Sequence, residues 1–236
     1  MQDRLTVLRR TTTPHAEFRT VLRELSLLLA YEVTRDLPLT SIPITTPLAP
    51  MLAPVLAGPP PVIVAILRAG QGMLEGFLIL LPNASVGYIG LRRDPQTHTP
   101  LEYYANVPAD LAPRRVIVVD PMLATGNSAV AALQRLKGLG ATALTFVCIL
   151  AAPEGVAQVH EQHPDVPLYT AAIDERLDAH AYIVPGLGDA GDRLCGTPSM
   201  TAGTKVPQLV AGILPAHAQR HGTGSTRNYR RIDARP

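Results

Sequence analysis

Residues 116–129 constrain the fold more than any other part of this chain. They read Val116-Ile-Val-Val-Asp-Pro-Met-Leu-Ala-Thr-Gly-Asn-Ser-Ala129. Four β-branched residues predict a short buried strand, an acid stands at its carboxyl end, and a loop of small and hydroxyl residues leads into a helix. The N–H groups at the start of such a helix, and the positive end of its dipole, point at the loop. The segment therefore predicts a cradle for a phosphate.

Two other phosphate-binding motifs do not match this segment. A Walker loop has a lysine after its last glycine, whereas Gly126 is followed by Asn127 and Ser128. The dinucleotide pattern G-x-G-x-x-G does not fit either. What remains is a cradle for one phosphate on a sugar, with Asp120 placed to hold the sugar hydroxyls. Taken alone, the segment fits an ordinary α/β turn equally well, and only further motifs decide between the two.

The rest of the chain alternates between predicted helices and strands. Apolar residues recur every three or four positions from His15 to Thr34, which predicts an amphipathic helix. Apolar runs predict strands at 61–67, 86–91, 116–120, 143–150 and 168–173. Further helices are expected at 70–81, 128–139 and 154–162. This order is typical of an α/β fold with a doubly wound, mainly parallel sheet, which binds ligands beyond the carboxyl ends of its strands.

Two stretches interrupt this alternation. From Leu37 to Leu67 no residue is charged, but the eight prolines there argue against a membrane-spanning helix or a central strand. We expect an irregular arm with an edge hairpin. From Arg92 to Pro113 the chain is polar and interrupted by proline, which predicts a long mobile loop.

Charge and cysteine content limit the class of function. The formal net charge is +2, but residues 198–236 alone carry +5, so the remainder carries −3. The basic character belongs to a Pro/Gly/Arg-rich tail that we expect to be flexible, and the body shows no sign of a nucleic-acid-binding surface. Two cysteines are too few for a disulfide framework, and the N-terminus lacks a secretory h-region. These features indicate a cytoplasmic protein without a membrane anchor.

Three motifs in one order resemble those of uracil phosphoribosyltransferases, a family of type I phosphoribosyltransferases. Asp120-Pro-Met-Leu-Ala-Thr-Gly126 is similar to their motif for 5-phosphoribosyl-1-diphosphate (PRPP), in which proline replaces the second acid of most type I enzymes. Residues 66–76, opening with Ile-Leu-Arg-Ala-Gly, resemble their diphosphate-binding loop. Residues 182–192, Tyr-Ile-Val-Pro-Gly-Leu-Gly-Asp-Ala-Gly-Asp, resemble their uracil-binding loop. Arg93 and Glu102-Tyr103-Tyr104 resemble the mobile loop, and the likeness covers about residues 17–197.

The resemblance implies a type I phosphoribosyltransferase fold with a small hood for the base. Its domain would span 1–197, with an N-terminal helix and arm to about 60, a core at about 61–173 and the hood at 174–197. The implied activity is pyrimidine salvage, in which the ribose 5-phosphate of PRPP is transferred to uracil to give UMP and diphosphate. Mg²⁺ would accompany PRPP, the assembly would be a homodimer or a larger homo-oligomer, and GTP activates some members.

The resemblance also assigns residues. Arg68, Arg93 and Asp120 would be catalytic, with both arginines on the diphosphate and Asp120 on the ribose. The PRPP contacts would be Arg68, Arg93, Asp120, Pro121, Met122, Leu123, Ala124, Thr125, Gly126, Asn127, Ser128 and Asp189. The uracil contacts would be Ile183, Gly188, Asp189 and Ala190. No residue is assigned to a metal. Gln71 and Glu75 depart from the family pattern, which usually has leucine and aspartate there.

Other interpretations remain open from the residues alone. Arg68 could cap the sheet edge by pairing with an acid, and Arg93 could be a solvated loop residue. A catalytically weak PRPP- or nucleotide-binding regulator of the same fold would carry the same motifs. A relative acting on another base is disfavoured for purines, because purine binding generally needs an aromatic stacking partner and aromatic residues make up only 4% of the chain.

Overall fold

The N-terminal part of the chain forms two helices and a hairpin. The structure, a computed structural model, describes residues 1–93 and 100–197. It opens with α1 (Gln2–Arg9), α2 (His15–Thr34), β1 (Leu39–Thr45) and β2 (Pro50–Leu56). Helix α2 has the predicted bounds, whereas α1 is too short to show periodicity. The hairpin β1–β2 forms its own two-stranded sheet and does not extend the edge of the central one, contrary to expectation. Prolines within both strands cannot donate ladder hydrogen bonds, which suits a separate ribbon.

The central sheet has seven strands, and most of them run parallel. They are β3 (Val62–Leu67), β4 (Ser85–Arg93), β5 (Pro100–Asn106), β6 (Arg115–Val119), β7 (Met122–Leu123), β8 (Ala143–Ala151) and β9 (Leu168–Ile173). Their order is β5-β4-β3-β6-β8-β7, with β9 pairing β8. Among the strand pairs of this sheet in the described residues, only β4–β5 is antiparallel. The predicted mainly parallel sheet is confirmed.

Strand β5 corrects the prediction of a continuous loop from Arg92 to Pro113. It pairs with β4 across a register shift at Gly90/Leu91. The ring of Tyr103 lies over Gly90, where a Cβ would approach within 2.6 Å of the ring. Aromatic residues favour strands, and the polar composition hid this preference. Residues 94–99 of the predicted loop, and the side chain of Arg93, lie outside the described part of the chain.

Helices cover both faces of the sheet because apolar residues occupy nearly every position of its central strands, Arg115 and Thr145 being the exceptions in β6 and β8. Between the strands lie α3 (Gln71–Leu80), α4 (Asn127–Gly138) and α5 (Pro153–Gln162). On β3, Ile63 and Ala65 pack into the core formed with α1, α2 and α3, and Val62 and Val64 pack into the core formed with α4 and α5. Full burial of each larger side chain contributes about 1.5–3 kcal/mol. In residues 1–93 and 100–197, no helix combines the length and apolar character needed to cross a membrane.

Helix α3 packs directly against the backbone of α2 at Gly76. A Cβ at this position would lie 2.5 Å from the Arg23 carbonyl oxygen and 2.6 Å from the Ser26 Cβ. We expect Gly76→Ala to lower the free energy of unfolding by about 1–3 kcal/mol, because backbone atoms cannot yield easily. Urea denaturation measures this change.

Gly138 provides the matched control for that prediction. It is also a helical glycine, but nothing lies within 4 Å of its Cβ position. Gly138→Ala should raise the free energy of unfolding by about 0.5 kcal/mol, since alanine loses less backbone entropy on folding. Equal effects of both substitutions would contradict the close α2–α3 packing.

Candidate active site

A cavity of about 300 Å³ opens beyond the carboxyl ends of β3 and β6. Its outer wall comes from the C-terminal hood, which contains the antiparallel strands β10 (Arg176–Leu177) and β11 (Ile183–Val184) and the helix α6 (Ala190–Cys195). The lining residues are Arg68, Ala69, Asp120, Met122, Ala124, Ala181, Tyr182, Ile183, Gly188, Asp189, Ala190 and Gly191. Three distant motifs of the sequence therefore meet in one cleft.

Asp120 lies at the end of β6, half-buried in the wall of this cavity. Its backbone N–H donates to the Val147 carbonyl at 3.1 Å, and its Oδ1 accepts a long hydrogen bond from the Met122 N–H at 3.5 Å. Burial raises the pKa of Asp120 to about 7; the Met122 N–H opposes this rise and the negative charge of Asp189 adds to it. Hydrogen-bond donors such as sugar hydroxyls would stabilise the ionised form.

The loop after Asp120 turns into α4 through Gly126. This glycine has φ +85°, and no side chain caps the helix. The first helical hydrogen bond runs from the Val130 N–H to the Gly126 carbonyl at 2.9 Å, so the preceding N–H groups have no helical partner. Helix α5 supports the loop at Gly155, where a Cβ would lie 2.4 Å from the Ala124 carbonyl oxygen. The turn can therefore present backbone N–H groups to an anion.

The other predicted residues of this loop divide between surface and core. Thr125, Gly126, Asn127 and Ser128 do not line the cavity; Asn127 and Ser128 are exposed at the start of α4. Leu123 is buried in the core with α4 and α5. Pro121 is buried, and its carbonyl accepts from the N–H groups of Ile149 and Leu150. Leu123 and Pro121 thus brace the turn from beneath.

Arg68 directly follows β3 and lines the cavity next to Asp192 of the hood helix α6. Its Nη2 lies 3.2 Å from Oδ1 of Asp192, a buried carboxylate that also accepts from the Thr197 hydroxyl at 2.6 Å. The Arg68 side chain nevertheless remains 58% exposed. Since a guanidinium has five N–H donors, this pairing leaves donors for an anionic ligand. Asp192 was not among the predicted site residues, although an acid three residues after Asp189 was a visible signal in the sequence.

The hood loop, residues 183–190, contributes Ile183, Gly188, Asp189 and Ala190 to the cavity lining. Gly186 has φ +64°, and a Cβ there would lie 2.1 Å from the Ile183 carbonyl oxygen, so the turn requires glycine. Asp189 caps α6, since its Oδ1 accepts from the Asp192 N–H at 2.8 Å. Four further lining residues were not among the predicted site residues, namely Ala69, Ala181, Tyr182 and Gly191. Tyr182, directly before Ile183, is the aromatic residue among these four and was the visible signal.

Among the described residues that line this cavity, two carboxylates suit a hard cation such as Mg²⁺. They belong to Asp120 and Asp189, which interact electrostatically. Within the described ranges, no group of three or more His, Cys, Asp or Glu side chains is arranged to hold a metal ion. The arrangement suits a hydrated cation that arrives on a phosphate ligand and takes one or two carboxylates.

Comparison with known proteins identifies the family to which this chain belongs. The sequence profile of the uracil phosphoribosyltransferase family matches residues 1–197. The chain is a member of that family. It is 60% identical over 197 residues to the uracil phosphoribosyltransferase of Paracoccus denitrificans, covering 84% of this chain and 93% of that protein. Identity with the enzyme of the same name from Myxococcus xanthus is 61%, with the same coverage.

A solved structure agrees with the fold. The AQ2163 protein from Aquifex aeolicus superposes with a TM-score of 0.78 at 36% sequence identity, covering 82% of this chain and 92% of that one. Family and fold confirm the resemblance seen in the sequence motifs. As a uracil phosphoribosyltransferase family member, the chain places its three motifs around one cleft.

Proposed function

We propose that this protein transfers the ribose 5-phosphate group of PRPP to uracil, giving UMP and diphosphate, and so salvages uracil for pyrimidine nucleotides. One observation carries the proposal: Arg68, Asp120, Ile183 and residues 188–190 line a single cavity. Family membership over residues 1–197 supports the same conclusion. A catalytically weak regulator would need the same residues only for binding, and the assay below separates the two.

The reaction requires charge stabilisation more than covalent catalysis. As the C1–diphosphate bond breaks, positive charge builds on the ribose and negative charge on the leaving group. In our proposal Arg68 binds diphosphate oxygens, Asp120 accepts hydrogen bonds from the ribose hydroxyls, and the N–H groups of 125–128 bind the 5-phosphate. Arg93, the last residue of β4, completes the diphosphate site. Each group positions a reactant as well as stabilising charge.

Uracil recognition falls to the backbone of the hood loop. Uracil presents alternating N–H donors and carbonyl acceptors at its edge, which peptide groups can match. The proposed contacts are Ile183, Gly188, Asp189 and Ala190, and all four line the cavity. Cytosine has an amino group in place of O4 and lacks the N3 proton, so it would leave buried groups unpaired and should be rejected strongly.

Mg²⁺ fits this site as a companion of PRPP. Asp120 and Asp189 line the same cavity, and one or two carboxylates with phosphate oxygens and water satisfy Mg²⁺. The ion would neutralise part of the diphosphate charge, while Asp189 would also reach PRPP. Omitting Mg²⁺ from the assay tests its requirement.

We also propose a cytoplasmic homodimer or larger homo-oligomer. Exposed apolar side chains on α2 and α3 support self-association, namely Leu28, Tyr31, Ile79 and Leu80. Light scattering of the purified protein measures the oligomeric state.

GTP is proposed as an activator from the family resemblance, and its addition to the assay tests that point.

The decisive experiment incubates the purified protein with PRPP, Mg²⁺ and one base at a time. We expect UMP from uracil and no nucleotide from cytosine, hypoxanthine or orotate. Liquid chromatography of the products measures each nucleotide. Tight PRPP binding without product from any base would support the regulator instead.

Residues 198–236 are proposed to be dispensable for catalysis. The family match ends at residue 197, and alignments over 197 residues already cover 93% of the Paracoccus and Myxococcus enzymes. We expect a variant ending at residue 197 to retain kcat and both KM values within about twofold, a difference of less than about 0.5 kcal/mol. A collapse of activity or of assembly in that variant would assign the tail a structural role.

A further inference from the structure

Both polar groups of Gly186 in the hood loop are bound by one partly buried ion pair, formed by Arg9 and Asp174. The Gly186 N–H donates to Oδ2 of Asp174 at 2.8 Å, and the Gly186 carbonyl accepts from Nη1 of Arg9 at 2.9 Å. The same Arg9 nitrogen donates to Oδ2 of Asp174 at 2.7 Å, and Nη2 donates to Oδ1 at 2.5 Å. Arg9, Asp174 and Gly186 thus form a closed ring of hydrogen bonds, which we call the Arg9 ring.

The Arg9 ring links elements that are far apart in sequence. Arg9 is the last residue of α1, Asp174 directly follows β9, and Gly186 lies two residues before Gly188. The Asp174 side chain is only 6% exposed. Burial would raise the pKa of Asp174, but hydrogen bonds from Arg9 and from the Gly186 N–H outweigh burial and lower it. The carboxylate is therefore ionised at neutral pH and depends on both partners.

A second arginine also joins the hood to α1, but this one belongs to the hood and binds carbonyl groups at the end of α1. Arg193 on α6 donates to the carbonyls of Leu187 at 2.8 Å and Arg10 at 2.7 Å, and also to the Leu8 carbonyl. Its guanidinium lies 4.4 Å from the ring centroid of Phe18 on α2. Carbonyls at the end of α1 carry the negative end of the helix dipole, which favours this cation. Arg9 and Arg193 thus both hold the hood loop against α1.

We propose that Arg9 and Asp174 are positioning residues for uracil. Through them, α1 fixes the position of the hood-loop backbone that is proposed to bind the base. This inference rests on the proposed function. The Arg9 ring acts on Gly186, which lies between Ile183 and Gly188. The side chains of Arg9 and Asp174 themselves do not line the cavity. Loss of the Arg9 ring displaces the peptide groups that must match the base edge. A displacement of about 1 Å is enough to lower catalytic activity roughly 100-fold. The PRPP contacts at Arg68 and Asp120 lie on other elements and should be spared, so only the contact through Asp189 in the hood should change KM for PRPP.

The test compares Arg9→Met with Arg4→Met in steady-state assays that vary uracil and PRPP separately. Arg4 is also on α1, but it pairs with Glu24 at the surface. We expect Arg9→Met to raise KM for uracil 10- to 100-fold and to change KM for PRPP less than threefold. Arg4→Met should change neither. Equal changes in both KM values, or a loss of kcat alone, would overturn the positioning role.

Conservative variants keep the test decisive if Arg9→Met does not fold. Arg9→Lys retains one charged donor but cannot reproduce all three hydrogen bonds, so its KM for uracil should rise by a smaller factor, about three- to tenfold. An unchanged KM for uracil in Arg9→Lys would overturn the proposal. A wild-type protein that makes no UMP refutes the proposed function itself, whereas an active wild type with an unaffected Arg9→Lys refutes only the Arg9 ring.

Discussion

Asp120→Asn should lower kcat/KM for PRPP by roughly 10²- to 10³-fold while leaving the fold intact. Asparagine keeps the size of the side chain but loses the negative charge that accepts the ribose hydroxyls. A hydrogen bond to a charged group contributes about 1.5–3 kcal/mol, and two such bonds account for the expected loss. Initial-rate measurements at saturating uracil give the value. Near-normal activity would contradict the role proposed for Asp120.

The same substitution should stabilise the ligand-free protein at alkaline pH. The pKa of Asp120 is raised to about 7 in the folded state, mainly by burial, so the folded protein binds this proton more tightly than the unfolded chain. The contribution of Asp120 to the stability of the wild type is therefore lost as the pH rises from the ordinary carboxyl pKa of about 4 through pH 7. Asparagine has no such proton, so Asp120→Asn should gain about 1–3 kcal/mol at pH 8 and little at pH 4. Urea denaturation at both values measures the difference.

Asp165→Asn is the matched control for Asp120. Asp165 pairs with Lys137 at 2.6 Å on the surface, and that hydrogen bond lowers its pKa. A lowered pKa contributes stability above the ordinary carboxyl range, so this variant should lose stability at neutral pH, the opposite sign to Asp120→Asn. Its activity should match the wild type. An increase in stability for both variants would show that surface charge alone explains the result.

Arg68→Met is expected to have the second-largest effect, lowering kcat/KM for PRPP by roughly 30- to 150-fold. Methionine preserves much of the side-chain length but removes every donor that could bind the leaving diphosphate. Charge-assisted hydrogen bonds of this kind correspond to about 2–3 kcal/mol of transition-state stabilisation. The same initial-rate assay measures the loss.

Asp192→Asn distinguishes catalysis by Arg68 from a purely structural ion pair. If Arg68 served only to pair with Asp192, removing either partner would have a similar effect on activity. Because the Arg68 side chain is 58% exposed and lines the cavity, we expect Asp192→Asn to reduce kcat/KM less than about fivefold, about 1 kcal/mol. Comparable losses in the two variants would favour the structural interpretation.

Much of the fold was predictable because its signals are local. The helical periodicity of α2 and the apolar runs of β3, β6 and β8 depend on residues a few positions apart, and these elements appear where they were expected. The strand–loop–helix around Asp120 is local in the same sense. By contrast, β7, β10 and β11 have two residues each, too few to show a period. Strand β5 forms because the edge of β4 is available for pairing. The polar sequence of β5 did not reveal this pairing.

The sequence by itself determined the sheet class, the family and the side chains available for chemistry, since near neighbours along the chain encode these. Only the tertiary structure decided how those side chains are paired. Arg68 meets Asp192 across 124 positions and Arg9 meets Asp174 across 165, distances over which no periodicity carries information. The raised pKa of Asp120 is likewise a product of folding, because burial and the nearby charge of Asp189 exist only once the cavity has formed.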